Sequence, residues 1–78
     1  MKFHSFAIVV EKEPEDPGYY AYSPDLPGCF GAGRTVEETK ESMRRAVELH
    51  VESLLAHGEP VPQNKKLVHV EELTVGVS

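Results

Sequence analysis

The hydrophobic pattern along this chain changes period twice. Residues 3–10, Phe-His-Ser-Phe-Ala-Ile-Val-Val, are rich in aromatic and β-branched side chains and too short for an ordinary helix. They predict a strand. The second half of the run is apolar at every position, so both of its faces need cover. Glu11 to Gly18 holds Pro14, Pro17 and Gly18 and predicts a turn. Residues 19–23, Tyr-Tyr-Ala-Tyr-Ser, are the returning strand of a hairpin. A period of two places Tyr20 and Tyr22 on one face and Tyr19 and Ala21 on the other. Pro24 to Gly28 breaks the ladder, and residues 29–33 form a short third strand. Gly31 and Gly33 within it predict a bulge or a close backbone approach.

The period then lengthens to that of a helix over residues 36–57. Val36, Met43, Ala46, Val47, Val51, Leu54 and Leu55, with His50 among them, recur at spacings of three and four. Glu37, Lys40, Glu41, Arg44, Glu48 and Glu52 make the polar face, where Glu41 with Arg45 and Arg44 with Glu48 are favourable pairs. Thr35-Val36-Glu37-Glu38 fits a capping box: the Thr35 hydroxyl can accept from the Glu38 amide while the Glu38 carboxylate reaches back. Gly58 stops the helix, and Pro60 and Pro62 follow it. Residues 67–75, Leu-Val-His-Val-Glu-Glu-Leu-Thr-Val, predict a fourth strand. The order is β-β-β-α-β, an α+β domain spanning residues 1–78. It consists of a three-stranded antiparallel meander, one long helix packed on one face, and a last strand that a right-handed crossover sets parallel to the first.

Charge and composition narrow the function. Eight basic against thirteen acidic residues leave a formal charge of −5. Such a chain is repelled by phosphate backbones and favours a basic protein partner. A single cysteine, Cys29, excludes an intrachain disulfide and zinc sites built on three or four thiolates. No run approaches the roughly 18 apolar residues of a membrane span, and none reads as a secretory signal. A cytoplasmic protein is expected.

Candidate chemistry is sparse. His50 and His57 lie two turns apart with no spaced third ligand, so they read as packing and helix-end residues. His4 and His69 lie on the first and last strands. A metal-dependent nuclease would need converging acids, yet the first strand holds none, and Glu37 and Glu38 are accounted for by the helix start. Cys29 reads as a small buried hydrophobe. Gly31-Ala32-Gly33-Arg34 lacks the third glycine of a dinucleotide fingerprint and the lysine of a phosphate loop. No catalytic residue, metal or cofactor is assigned. Six aromatics, Phe3, Phe6, Tyr19, Tyr20, Tyr22 and Phe30, crowd a small sheet. The loops beside them are acidic, which favours core and protein contact over base stacking.

Three segments together resemble the HicB family of type II antitoxins. They are Gly18-Tyr19-Tyr20-Ala21, Pro24-Asp25-Leu26-Pro27-Gly28-Cys29 and Gly33-Arg34-Thr35-Val36-Glu37-Glu38. Gly58-Glu59-Pro60-Val61-Pro62 resembles the pattern that follows the family's helix. The resemblance covers about residues 3 to 75. It implies a degraded ribonuclease-H-like fold and a domain that binds and masks a small basic HicA-type toxin, an mRNA-cleaving ribonuclease. Many members add a C-terminal DNA-binding domain, whereas this sequence ends at Ser78 and is expected to be a short form without one. The chain is therefore expected to bind a protein and not to catalyse, with no direct contact to nucleic acid or membrane. Tyr20, Tyr22 and Asp25 are the expected partner contacts. A dimer or tetramer is expected because one helix covers only one sheet face. The competing readings are an orphan oligomeric regulator without a toxin and a residual metal-dependent nuclease.

Overall fold

A computed structural model describes residues 3–63 and 73–77. The elements are β1 (Val9–Glu11), β2 (Tyr19–Tyr22), β3 (Phe30–Gly33) and α1 (Val36–Ala56). The strands form one antiparallel sheet in the order β1-β2-β3. The helix packs on one face of it, so the α+β meander-and-helix architecture read from the sequence is present. The expected fourth strand, residues 67–75, falls largely outside the described residues. Of its positions, Leu73 and Val75 are exposed.

The first strand begins later than the predicted 3–10 and runs one residue past it, taking Glu11 from the predicted turn into the ladder. Beyond Val9 the β2 backbone has turned away at Pro24, and two side chains take over the ladder. The Ala7 N–H donates to Asp25 Oδ2 at 2.7 Å, and the Ser23 hydroxyl donates to the Ala7 carbonyl at 2.6 Å. The Asp25 N–H in turn donates to Ser23 Oγ. The proline that ends β2 thus leaves its partner strand anchored by side chains in place of backbone. The next four residues, Leu26 to Cys29, form a turn closed by the Cys29 N–H on the Leu26 carbonyl. Pro27 supplies the second position, and Gly28, at φ +91°, the third, as a type II turn requires. This turn drops Leu26 and Cys29 into the core beside Ala21 and Met43. Phe6, Val10 and Val47 pack around them. Burial pushes the Cys29 thiol pKa up, which suits a packed thiol and not a reactive one.

The β3 glycines serve close approach, with no bulge in the paired register. A Cβ on Gly31 would lie 2.7 Å from the Met43 nitrogen, and one on Gly33 2.7 Å from the Thr39 nitrogen. Helix and strand therefore meet backbone to backbone, closer than any side chain permits. Thr39, absent from the apolar stripe in the sequence, is fully buried at this contact because its hydroxyl donates to the Thr35 carbonyl. On the outer edge of β3, the Ala32 N–H donates to Ser42 Oγ of the helix.

The helix begins as its sequence predicts. Thr35 Oγ1 accepts from the Glu38 N–H at 3.0 Å. The Glu38 carboxylate reaches one residue further back than an ordinary capping box, to the Arg34 N–H at 2.9 Å. At the other end, the Glu59 N–H donates to the Leu54 carbonyl and the Gly58 N–H to the Leu55 carbonyl. With Gly58 at φ +66°, this is a Schellman stop. The His57 ring nitrogen Nδ1 lies 2.7 Å from the Ser53 carbonyl, which gives that histidine its helix-end role. Arg45 pairs with Glu41 as predicted, but Arg44 also turns to Glu41 and not to Glu48. These pairs are exposed and add at most about 1 kcal/mol each. Burial is deepest at Thr39 and Met43 and fades toward the C-terminal half, where Leu49 and Leu55 are exposed.

Candidate functional site

Alternate residues of the strands divide the sheet into two faces. Val10, Ala21 and Gly31 lie in register on the face that meets the helix. The opposite face carries two cross-strand rows, Val9-Tyr22-Phe30 and Glu11-Tyr20-Ala32. The helix is the only other element among the described residues, and it lies on the far side. Phe30, at the β3 end of its row, is accordingly 68% exposed, a high value for a large aromatic ring.

The polar end of this face is organised by the tyrosines. The Tyr20 hydroxyl donates to Glu11 Oε2 at 2.6 Å and lies 3.4 Å from Glu13 Oε1. The Tyr22 hydroxyl approaches Glu11 Oε1 at 3.4 Å. The short hydrogen bond to Glu11, with the neighbouring carboxylate charges, pushes the Tyr20 pKa up to about 12. Glu13 is fixed from the chain side as well. Its carbonyl accepts from the Asp16 N–H, closing a turn with Pro14 at its second position. Two carboxylates and two phenols thus share one small network next to an apolar row. Among the described residues neither Glu11 nor Glu13 has an ion-pair partner.

The predicted contact residues are placed unequally. Tyr20 and Tyr22 stand together on the open face. Asp25 is half-buried, and its carboxylate is taken up by the Ala7 amide. Glu11, Glu13 and Phe30 join the tyrosines on this face, although none of the three is among the expected contacts. The signal for Glu11 and Phe30 lies in the strand register, which a long Pro-containing connection does not specify. His4 stacks on Phe6 at 6.4 Å between ring centroids.

A concavity of about 530 Å³ runs between the N-terminal segment and the helix. Phe6, Ile8, Met43 and Val47 line it, under a rim that includes Lys40, Glu41 and Arg44. The rim charges largely satisfy one another: Lys40 lies 3.8 Å from Glu37, and Arg44 3.7 Å from Glu41. Among the described residues no group of three His, Cys, Asp or Glu side chains is placed to hold a metal ion, and no helix is long and apolar enough to cross a membrane.

Comparison with known proteins agrees with this architecture. Residues 6–74 match the family model described as the HicB-like antitoxin of bacterial toxin–antitoxin systems. A UPF0150 protein of Synechocystis sp. is 39% identical over 67 residues, covering 86% of this chain and 84% of that protein. A UPF0150 protein of Thermoplasma acidophilum is 34% identical over 71 residues, covering 90% and 94%. Among solved structures, the N-terminal domain of the Burkholderia pseudomallei antitoxin HicB superposes with a TM-score of 0.68 at 32% identity, covering 80% of this chain and 72% of that one. A chain of a HicA3–HicB3 toxin–antitoxin complex gives 0.62 at 33% identity, covering 78% and 69%.

Proposed function

Because this chain belongs to the HicB-like antitoxin family of bacterial toxin–antitoxin systems, we propose that it neutralises a small basic HicA-like, mRNA-cleaving toxin by masking its active site. The observation that carries the reading is the similarity, over most of both chains, to a chain of a HicA3–HicB3 complex. The open aromatic face supports it. Tyrosine offers large contact area with few rotors to freeze, and the acidic charge of −5 complements a basic partner. Tyr20 and Tyr22 are the proposed contacts. Asp25 is proposed as the third, an acid able to pair with a basic partner while its carboxylate also accepts from the Ala7 amide.

The reading is of a binder and not an enzyme. The first strand carries a single acid, Glu11, at its end, and that carboxylate accepts from the Tyr20 hydroxyl, whereas a metal-dependent nuclease needs several acids converging from strand and helix. The finer fold assignment, a degraded ribonuclease-H-like sheet with residues 67–75 parallel to β1, belongs to the same proposal. So does a homodimer or homotetramer, which sedimentation at micromolar concentration tests against a monomer of 8.7 kDa.

The functional test is co-expression with any short basic open reading frame that neighbours the gene, or with a HicA-like toxin where none does, then pull-down and an RNA-cleavage assay. A stable complex in which cleavage stops is the expected result. Unchanged cleavage in excess of this chain would leave the orphan oligomeric regulator as the better account.

A further inference from the structure

We infer that the open face of the sheet is a composite seat for a cation-bearing apolar surface of a protein partner. An arginine or lysine head sits between Glu11 and Glu13, and the partner's apolar side chains lie over Tyr22 and Phe30. The inference rests on the proposed protein-binding role and specifies its surface.

Three observations point to this occupant. The other face is closed by the helix at backbone distance, since a Cβ on Gly31 would already meet Met43. The open face therefore carries the sheet's large exposed side chain, Phe30, in one row with Val9 and Tyr22. Second, the acids of the two surfaces differ. Helix acids Glu37 and Glu41 are matched by Lys40, Arg44 and Arg45 within 4 Å. Glu11 and Glu13 are held by phenol hydroxyls, which orient carboxylates without neutralising them. Third, the charge selects among occupants. In a two-fold dimer the same patch meets itself. A second copy centred on this face would bring the Glu11 and Glu13 pairs of both protomers together, a repulsive arrangement. Nucleic acid meets the same repulsion at its phosphates. A basic protein surface gains attraction from the charge and burial from the aromatics at once. The aliphatic stem of an arginine or lysine can lie along the Tyr20 and Tyr22 rings while its head reaches the carboxylates.

The test uses the full 78-residue chain, isotope-labelled, with a synthetic peptide of alternating arginine and leucine as the probe. Amide NMR shifts should gather at Val9, Glu11, Tyr20, Tyr22 and Phe30. Glu11→Gln with Glu13→Gln should weaken peptide binding about tenfold, as should Phe30→Ala, while Glu48→Gln on the helix leaves it unchanged. A second readout is the Tyr20 phenol. A cation seated on the carboxylates lowers its pKa from about 12, and arginine stays charged throughout that titration. Shifts confined to the helix, or no shifts, would overturn the inference. So would shifts at this face that appear with protein concentration alone, which assign it to a second copy. NOEs from the Phe30 ring to residues beyond Gln63, assigning it to the chain itself, or displacement by a short oligouridylate would do the same. The result separates from the toxin assay. Toxin neutralised normally by the Glu11→Gln/Glu13→Gln variant refutes the seat and leaves the function intact. A peptide seated here with no toxin captured refutes the toxin reading alone.

Discussion

The same three strands build two faces of opposite character. Inward residues shrink toward the helix: Val10 on β1, Ala21 on β2, and Gly31 on β3, where strand and helix backbones touch. The outward row does not: it passes from Val9 on β1 to the aromatic rings of Tyr22 on β2 and Phe30 on β3. On the closed face, shape complementarity at close range holds a very small core together. On the open face, large rings project past the sheet and polar groups hold one another in place. On the proposed reading, stability and recognition fall on alternate positions of one ladder, so a substitution's effect depends first on its parity.

The largest effect is expected at the closed face. Gly31→Ala places a methyl group inside the Met43 backbone contact, so the helix must retreat, at about 1–3 kcal/mol. For a domain of this size that lowers the melting temperature by very roughly 4–8 °C per kcal/mol, measured by thermal circular dichroism. A stability unchanged within error would mean that the helix does not lie where described. Asp25→Ala removes the acceptor from the half-buried Ala7 amide and should cost roughly 1–2 kcal/mol in urea denaturation. Partner affinity measured well below melting then separates its anchoring role from direct contact. Thr35→Ala loses the helix cap, at about 0.5–2 kcal/mol, and should leave partner affinity unchanged in the folded protein.

Open-face changes should barely touch stability. Phe30→Ser should shift it by no more than about 0.5 kcal/mol in either direction. A loss as large as that of Gly31→Ala would show that Phe30 supports the fold and erase the contrast between the faces. The smallest effect is one of titration. The Tyr20 pKa is raised in the folded protein to about 12, above the ordinary phenol value near 10. The stabilisation carried by its neutral form is thus complete below about pH 10 and is lost as pH climbs through the folded pKa. Ultraviolet titration should show one tyrosine ionising late, and Glu11→Gln should bring it back toward the ordinary value.

Much of this molecule was legible in one dimension. The helix is bounded by chemistry that acts within a few residues: a threonine accepting from the amide three positions on, and a glycine able to take positive φ. Such signals require no knowledge of the rest of the chain. The Leu26-Pro27-Gly28-Cys29 turn and the hairpin are local in the same sense. The parity that separates Tyr20 and Tyr22 from Ala21 follows from the pleat alone. The family resemblance rests on these local features, because turns and caps constrain particular residue types at fixed offsets.

What required the tertiary structure was every fact involving residues distant in sequence. Asp25 reads as a loop acid free to meet a partner, and only folding brings Ala7, eighteen positions earlier, onto its carboxylate. Thr39 reads as a polar helix residue, and only the approach of Gly33 buries it. Glu11 reads as a turn charge and Phe30 as one of six aromatics divided between core and protein contact. Their place beside Tyr20 and Tyr22 depends on strand register, and a one-residue slip would have sent both to the other face. Local hydrogen bonding and side-chain periodicity are encoded within a few residues. Register, close approach and the open face depend on which distant segments meet, and that is decided only when the chain packs.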